Sequence, residues 1–125
     1  MAKLKILLVD DDQAIHDLSR GFLKDRDCEF AQALHTQDAL GKFPDFAPDL
    51  VLLDINMPGA NGFVALRRLR ALANDNNRKC KIVMLTGNKT REDVNTARAY
   101  GADDYMAKPI NKQTLHQKLT HHFPG

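Results

Sequence analysis

Side chains able to bind a metal, or to attack or cradle a phosphoryl group, stand directly after the short apolar runs of this 125-residue chain. Asp10, Asp11 and Asp12 follow the run 6–9, Asp54 follows 50–53, Thr86 and Gly87 follow 82–85, and Lys108 with Pro109 follows 105–107. Chance would scatter polar types over four such ends. Here they amount to several carboxylates, a hydroxyl and an ammonium, the components of a phosphoryl-transfer site. Clustered carboxylates repel one another, and one of them would be forced to protonate unless a cation joined them. Mg²⁺ resolves this, because it takes one or two carboxylates, a carbonyl oxygen, water and a phosphate oxygen. Asp11 and Asp54 are the candidate direct ligands and Asp10 a ligand through water, with the Asn56 backbone carbonyl expected to complete the protein's share. An Asp carboxylate is also a covalent phosphate acceptor when a metal and nearby donors hold the phosphoryl group in line. In that role Thr86 would donate a hydrogen bond and Lys108 a positive charge to the phosphoryl oxygens. Gly87, lacking a Cβ, would let its strand end approach them closely.

The elements that must position these groups can be read from the same runs. Residues 6–9, 50–53, 82–85 and the weaker 105–107 are apolar without polar alternation, as strands buried on both faces of a parallel sheet are. Residues 29–33 read as an edge strand. Between them lie helical spacings: Ile15, Leu18 and Phe22; Ala39, Leu40 and Phe43; Leu66, Leu69 and Leu72; Leu115 and Leu119. Thr90 with Asp93 fits a capping box, Gly101 marks the end of the fourth helix, and Asn111 fits the cap of the fifth. The order is β-α repeated five times, which predicts an α/β, doubly wound, five-stranded parallel sheet with five helices. Such sheets bind ligands outside the carboxyl ends of their strands, where the reactive types stand.

Length and composition agree with one domain over residues 1–125, at 43% hydrophobic and 27% charged residues. No apolar stretch reaches a membrane span and no signal peptide opens the chain, so a cytoplasmic location is expected. Cys28 and Cys80 lack metal or disulfide spacing and read as buried small hydrophobes. The net charge of +2 divides unevenly: residues 1–62 carry 6 Lys or Arg against 11 Asp or Glu, and residues 63–125 carry 12 against 5. The basic residues, Arg67, Arg68, Arg70, Arg98, Lys112 and Lys118 among them, lie on helical stretches without aromatic interleaving. They read as solvated faces, with no direct nucleic-acid contact expected. The five histidines, His16, His35, His116, His121 and His122, are expected at the surface.

The segments Lys5-Ile-Leu-Leu-Val-Asp-Asp-Asp12, Leu53-Asp-Ile-Asn-Met-Pro-Gly59, Met84-Leu-Thr-Gly87 and Tyr105-Met-Ala-Lys-Pro109 resemble the successive signatures of response-regulator receiver domains, in the family's order and across the whole chain. That resemblance implies a flavodoxin-like fold with strand order 2-1-3-4-5 and a cis Lys108-Pro109 bond. It makes Asp10 and Asp11 the acidic pair that binds Mg²⁺, Asp54 the phosphoacceptor, Thr86 the switch hydroxyl and Lys108 the family's lysine. It implies a phosphoryl donor that is a sensor histidine kinase or a phosphotransfer histidine. Thr86 and Tyr105 would form the switch, reshaping the face made by the fourth and fifth helices and the strand between. An effector domain or target protein would read that face, and a homodimer formed on phosphorylation is a further partner of this type. Most family members precede an effector, so one is expected to follow. The rate of autodephosphorylation is related in the family to the positions of Asn56 and Asn88. No enzyme activity beyond self-phosphorylation and autodephosphorylation is implied.

Taken alone, Asp10 to Asp12 suit a helix N-terminus as well as a metal site, and Asp12 falls to the helix. Asp54 is harder to explain away, since burying a carboxylate after an apolar run is costly without a partner. A rival reading is a haloacid-dehalogenase-like phosphatase, with Asp10 as nucleophile and Asp12 as the second acid. It leaves Asp54 and the Met57-Pro-Gly segment unexplained, and the chain has no room for such an enzyme's cap. A receiver-like fold that only docks is a second rival, and nucleotide binding is set aside because neither GxxxxGK[ST] nor GxGxxG occurs.

Overall fold

The structure, a computed structural model, describes residues 3–55, 62–75, 79–87 and 91–124, with backbone alone at 91–93. Strands and helices alternate: β1 (Leu4–Val9), α1 (Gln13–Phe22), β2 (Cys28–Ala33), α2 (Thr36–Phe46), β3 (Leu50–Asp54), α3 (Gly62–Asp75), β4 (Lys81–Thr86), α4 (Arg91–Ala99), β5 (Asp104–Ala107) and α5 (Lys112–His122). Every strand pair is parallel and the order is β2-β1-β3-β4-β5.

Alternation of side chains across the pleat divides the core into two layers. Leu7, Val9, Val51, Leu53, Ile82 and Met84 face Ala39 and Phe43 of α2, Leu66 and Leu69 of α3, and Ala97 of α4. Ile6, Leu8, Leu50, Leu52, Val83 and Leu85 face Leu115 and Leu119 of α5. With helices on both sides, β3 is buried along its whole length. Each of its leucines contributes about 1.5–3 kcal/mol by leaving water. The caps at Asn111 and Gly101 stand as expected: Asn111 Oδ1 accepts from Thr114 N–H, and Gly101 has φ 106°. Thr90 and the side chain of Asp93 lie outside the described residues.

Several surface expectations are corrected. Leu18 is 40% exposed, whereas His16 and Ser19 are fully buried, so the inner face of α1 is turned one residue from the apolar stripe. On that face His16 Nε2 lies 2.8 Å from the Asp10 carbonyl. His116 accepts from Arg26 Nε at 2.9 Å and reaches the Phe22 carbonyl with its other nitrogen. His122 pairs with Asp104. Only His35, the N-cap of α2, and His121 are exposed as expected. Arg70 is no solvated cation either, since it donates to the carbonyls of Gly101 and Cys80, both at 2.9 Å, and pairs with Asp103. Cys80 is buried, but Cys28 on the edge strand is only half-buried, and burial pushes its thiol pKa up. No helix among the described residues is long and apolar enough to cross a membrane.

Gly62 opens α3 against the chain that leaves β3. A Cβ there would stand 2.7 Å from the Ile55 carbonyl oxygen and would also collide with the Ile55 backbone at Cα. Gly62→Ala is expected to cost about 1–3 kcal/mol of unfolding free energy, measured by urea denaturation, because backbone must shift to admit one methyl group.

Candidate functional site

Register brings the reactive groups level. Val9 pairs with Leu53 and Asp54 with Leu85, so Asp10, the next residue along, leaves the sheet beside Asp54. Thr86 pairs with Ala107, one residue before Lys108, whose N–H donates to the Thr86 carbonyl at 2.9 Å. These positions are the switch point of the sheet, where β1 has β2 on one side and β3 on the other.

Asp10 is fully buried and Asp54 is 2% exposed. The Lys108 ammonium lies 3.0 Å from Asp10 Oδ2 and 3.0 Å from Asp54 Oδ2, so one cation joins two carboxylates from different strands. Asp11 stands exposed at the rim, and one oxygen from each of Asp10, Asp11 and Asp54 falls within 4.8 Å of the others. Three carboxylates against one ammonium leave two negative charges, the charge that one divalent ion cancels. Asp10 Oδ1 accepts the Asp12 N–H at 3.0 Å, while Oδ2, among the described residues, has the Lys108 charge beside it. The donor set is hard oxygen throughout, which fits Mg²⁺ better than a softer metal.

Burial pushes the Asp10 carboxyl above its ordinary 3.8, against the pull of the Asp12 N–H and of Lys108. For Lys108 burial acts downward, yet the hydrogen bonds and charges of Asp54 and Asp10 outweigh it and hold the ammonium above its ordinary 10.5. The two carboxylates thus hold Lys108 charged, while Lys108 offsets only part of what burial costs the Asp10 carboxylate.

A family model for the response regulator receiver domain matches residues 6–120. The chain belongs to this family. Its fold agrees with solved receivers: the chemotaxis protein CheY4 of Vibrio cholerae superimposes with a TM-score of 0.89 at 30% identity, over 98% of this chain and 100% of that one. The receiver domain of Ssk1 from Saccharomyces cerevisiae, solved together with the histidine phosphotransfer protein Ypd1, superimposes with a TM-score of 0.85 at 25% identity, over 94% of this chain and 87% of that chain. Protein PilG of Pseudomonas aeruginosa is 29% identical over 124 residues, which is 98% of this chain and 89% of PilG. Against several regulatory proteins that it also matches, this receiver domain spans less than half their length, between 44% and 48%.

In this receiver domain Asp10, Asp11, Asp54 and Lys108 converge as the sequence spacing predicts. Thr86 ends the neighbouring strand, 4% exposed, and the Lys108-Pro109 bond is cis. Asp12 caps α1, its side chain accepting from Ala14 N–H at 3.0 Å, and so serves the helix. The phosphatase reading, which needs Asp12 as its second acid, has no support. Asn56, expected as a metal ligand through its carbonyl, lies outside the described residues, as does Asn88. Tyr105 is half-buried on β5 with the Lys118 ammonium 5.7 Å from its ring centre. A cavity of about 610 Å³ on the face of α4, β5 and α5 runs from Lys108 and Pro109 past Tyr105 to Arg98 and Lys118. Behind Asp10, buried His16 reaches the Asp10 carbonyl, a contact no spacing signalled because His16 falls outside the Ile15, Leu18 and Phe22 stripe.

A lysine held above its ordinary pKa stabilises the fold in full below the unfolded value, and that contribution is lost as pH rises through the folded value. The stability advantage of the native chain over Lys108→Met, from urea unfolding, is therefore expected to be steady near neutral pH and to shrink as pH climbs beyond about 10.5. A difference that stays flat across that range would remove Lys108 from the ion cluster.

Proposed function

We propose that residues 1–125 form one receiver domain that accepts a phosphoryl group on Asp54, with Mg²⁺ bound beside it. The observation that carries this reading is the Lys108 ammonium, 3.0 Å from buried carboxylates at the ends of two adjacent strands. Asp11 and Asp54 would hold the ion directly and Asp10 through water, with the Asn56 carbonyl as the remaining protein group. Once bound, Mg²⁺ supplies the positive charge that lets an anionic carboxylate meet an anionic phosphoryl group.

The chain's own residues divide the remaining work. A carboxylate oxygen of Asp54 attacks phosphorus on a phosphohistidine; an acyl C–O–P linkage forms, the P–N bond breaks, and its electron pair stays on the imidazole nitrogen, which takes up a proton. Lys108, already beside Asp54, places its charge on the phosphoryl oxygens, and the Thr86 hydroxyl donates to another of them. The movement of Thr86 toward that group, together with a turn of Tyr105, alters the α4-β5-α5 face. The donor is a sensor histidine kinase or phosphotransfer histidine, a class supported by the Ypd1 complex of the Ssk1 receiver. An effector domain or target protein reads the altered face, and a phosphorylation-dependent homodimer would use the same surface. The chain is the phosphorylated species itself, acting in the cytoplasm, and its turnover is limited to self-phosphorylation from small donors and autodephosphorylation, at a rate tied to Asn56 and Asn88. Neither nucleic acid nor membrane is a direct partner.

Incubation with acetyl phosphate and Mg²⁺ is expected to add one phosphoryl group by intact mass, to add none without the metal, and to add none to Asp54→Asn. A gain of the same size in Asp54→Asn would take the phosphoacceptor role away from that residue.

A further inference from the structure

We propose that His16 is a positioning residue for the acidic site: its imidazole donates from Nε2 to the Asp10 backbone carbonyl and so sets the Asp10 carboxylate for the cation. The inference rests on reading Asp10, Asp11 and Asp54 as the carboxylates of a Mg²⁺ site.

His16 lies on the inner face of α1, fully buried, with Nε2 2.8 Å from the Asp10 carbonyl oxygen. That oxygen can only accept, so Nε2 carries the hydrogen, and in the neutral ring Nδ1 is left as a bare acceptor. Nδ1 has no hydrogen-bond partner among the described residues, and neither has Ser19 Oγ one turn further on. Two buried polar atoms without partners mean that packing alone would favour apolar residues on this face. What the imidazole provides in return is its bond to Asp10.

That bond completes a set of restraints on one residue. The Asp10 N–H donates to the Ala33 carbonyl of β2 at 3.0 Å, its Oδ1 accepts from Asp12 N–H at 3.0 Å, and its Oδ2 faces Lys108 at 3.0 Å. His16 holds the remaining backbone group. Without it the peptide between Asp10 and Asp11 is free to tilt, and both carboxylates sit on that peptide. Groups that orient metal ligands from behind commonly change metal affinity by an order of magnitude or more when removed.

The test is titration of the full chain with MgCl₂ alone, followed by the NMR amide shifts of Asp11 and Asp12, since the chain has no tryptophan to report binding. His16→Leu is expected to weaken Mg²⁺ binding on the order of tenfold, and to lower the thermal midpoint without Mg²⁺ because the buried Asp10 carbonyl loses its donor. His16→Gln, whose amide nitrogen reaches as far as Nε2, is expected to restore the affinity. A folded His16→Leu that binds Mg²⁺ as tightly as the native chain would overturn the proposal, and so would a His16→Gln as weak as the leucine variant. Should His16→Leu not fold, the native imidazole decides. A long-range ¹H–¹⁵N spectrum showing the Nε2–H tautomer with a slowly exchanging proton upholds the bond, and an Nδ1–H tautomer refutes it. Failure of the native chain to bind Mg²⁺ saturably would be a different result, sinking the cation site itself and this inference with it.

Discussion

One ammonium shared by two buried carboxylates is the interaction on which the functional edge of this domain depends. Moving a carboxylate out of water costs several kcal/mol even after relaxation, and Asp10 and Asp54 are both almost wholly enclosed. Lys108 offsets part of that cost for each, from a strand two positions away from β3 in the sheet. It does not neutralise the cluster. The negative charge left over, together with Asp11 at the rim, makes the site an acidic cluster with the oxygen donors and charge that suit a divalent cation.

The rest of the fold serves to deliver those groups to one place. Strands sheathed on both faces must be apolar along their length, so the first position free to be polar is the one where the strand ends, and parallel pairing in register puts those positions side by side. The same arrangement ties chemistry to output. The Lys108 backbone bonds to Thr86, and β5, which carries Lys108 at its end, carries Tyr105 and Asp104 as well. Burial works against ionising Asp104, but hydrogen bonds from His122 and Lys118 outweigh it and hold its pKa below the ordinary 3.8. Lys118 also lies near the Tyr105 ring, so α5 grips β5 by charge at the strand's start and near its aromatic residue.

What the sequence made legible follows from this logic. The run Leu50-Val-Leu-Leu ending in Asp54 announces both a strand and a site, because a charge at the end of an apolar run is dear unless it has a use. The strand order and the convergence of Asp10, Asp11, Asp54 and Lys108 were readable for the same reason. The histidines and Arg70 were not. His16, His116 and Arg70 are all held in part by backbone carbonyls, of Asp10, of Phe22 and of Gly101 and Cys80, and every residue in a chain offers a carbonyl. Spacing therefore carries no sign of which one is used. The turn of α1 that exposes Leu18 comes with one such bond and was hidden with it.

The grip of Arg70 on the Gly101 carbonyl has a mechanical consequence. The end of α4 is further fastened to α3 where Tyr100 meets Phe63 edge-on at 6.0 Å and lies under the Arg67 guanidinium. These contacts fasten the carboxyl-terminal end of α4, while Ala97 seats it in the core. The Gly101 end of the helix is thereby held to α3, and the exposed flank of α4 lies between that anchor and the sheet edge that carries Thr86.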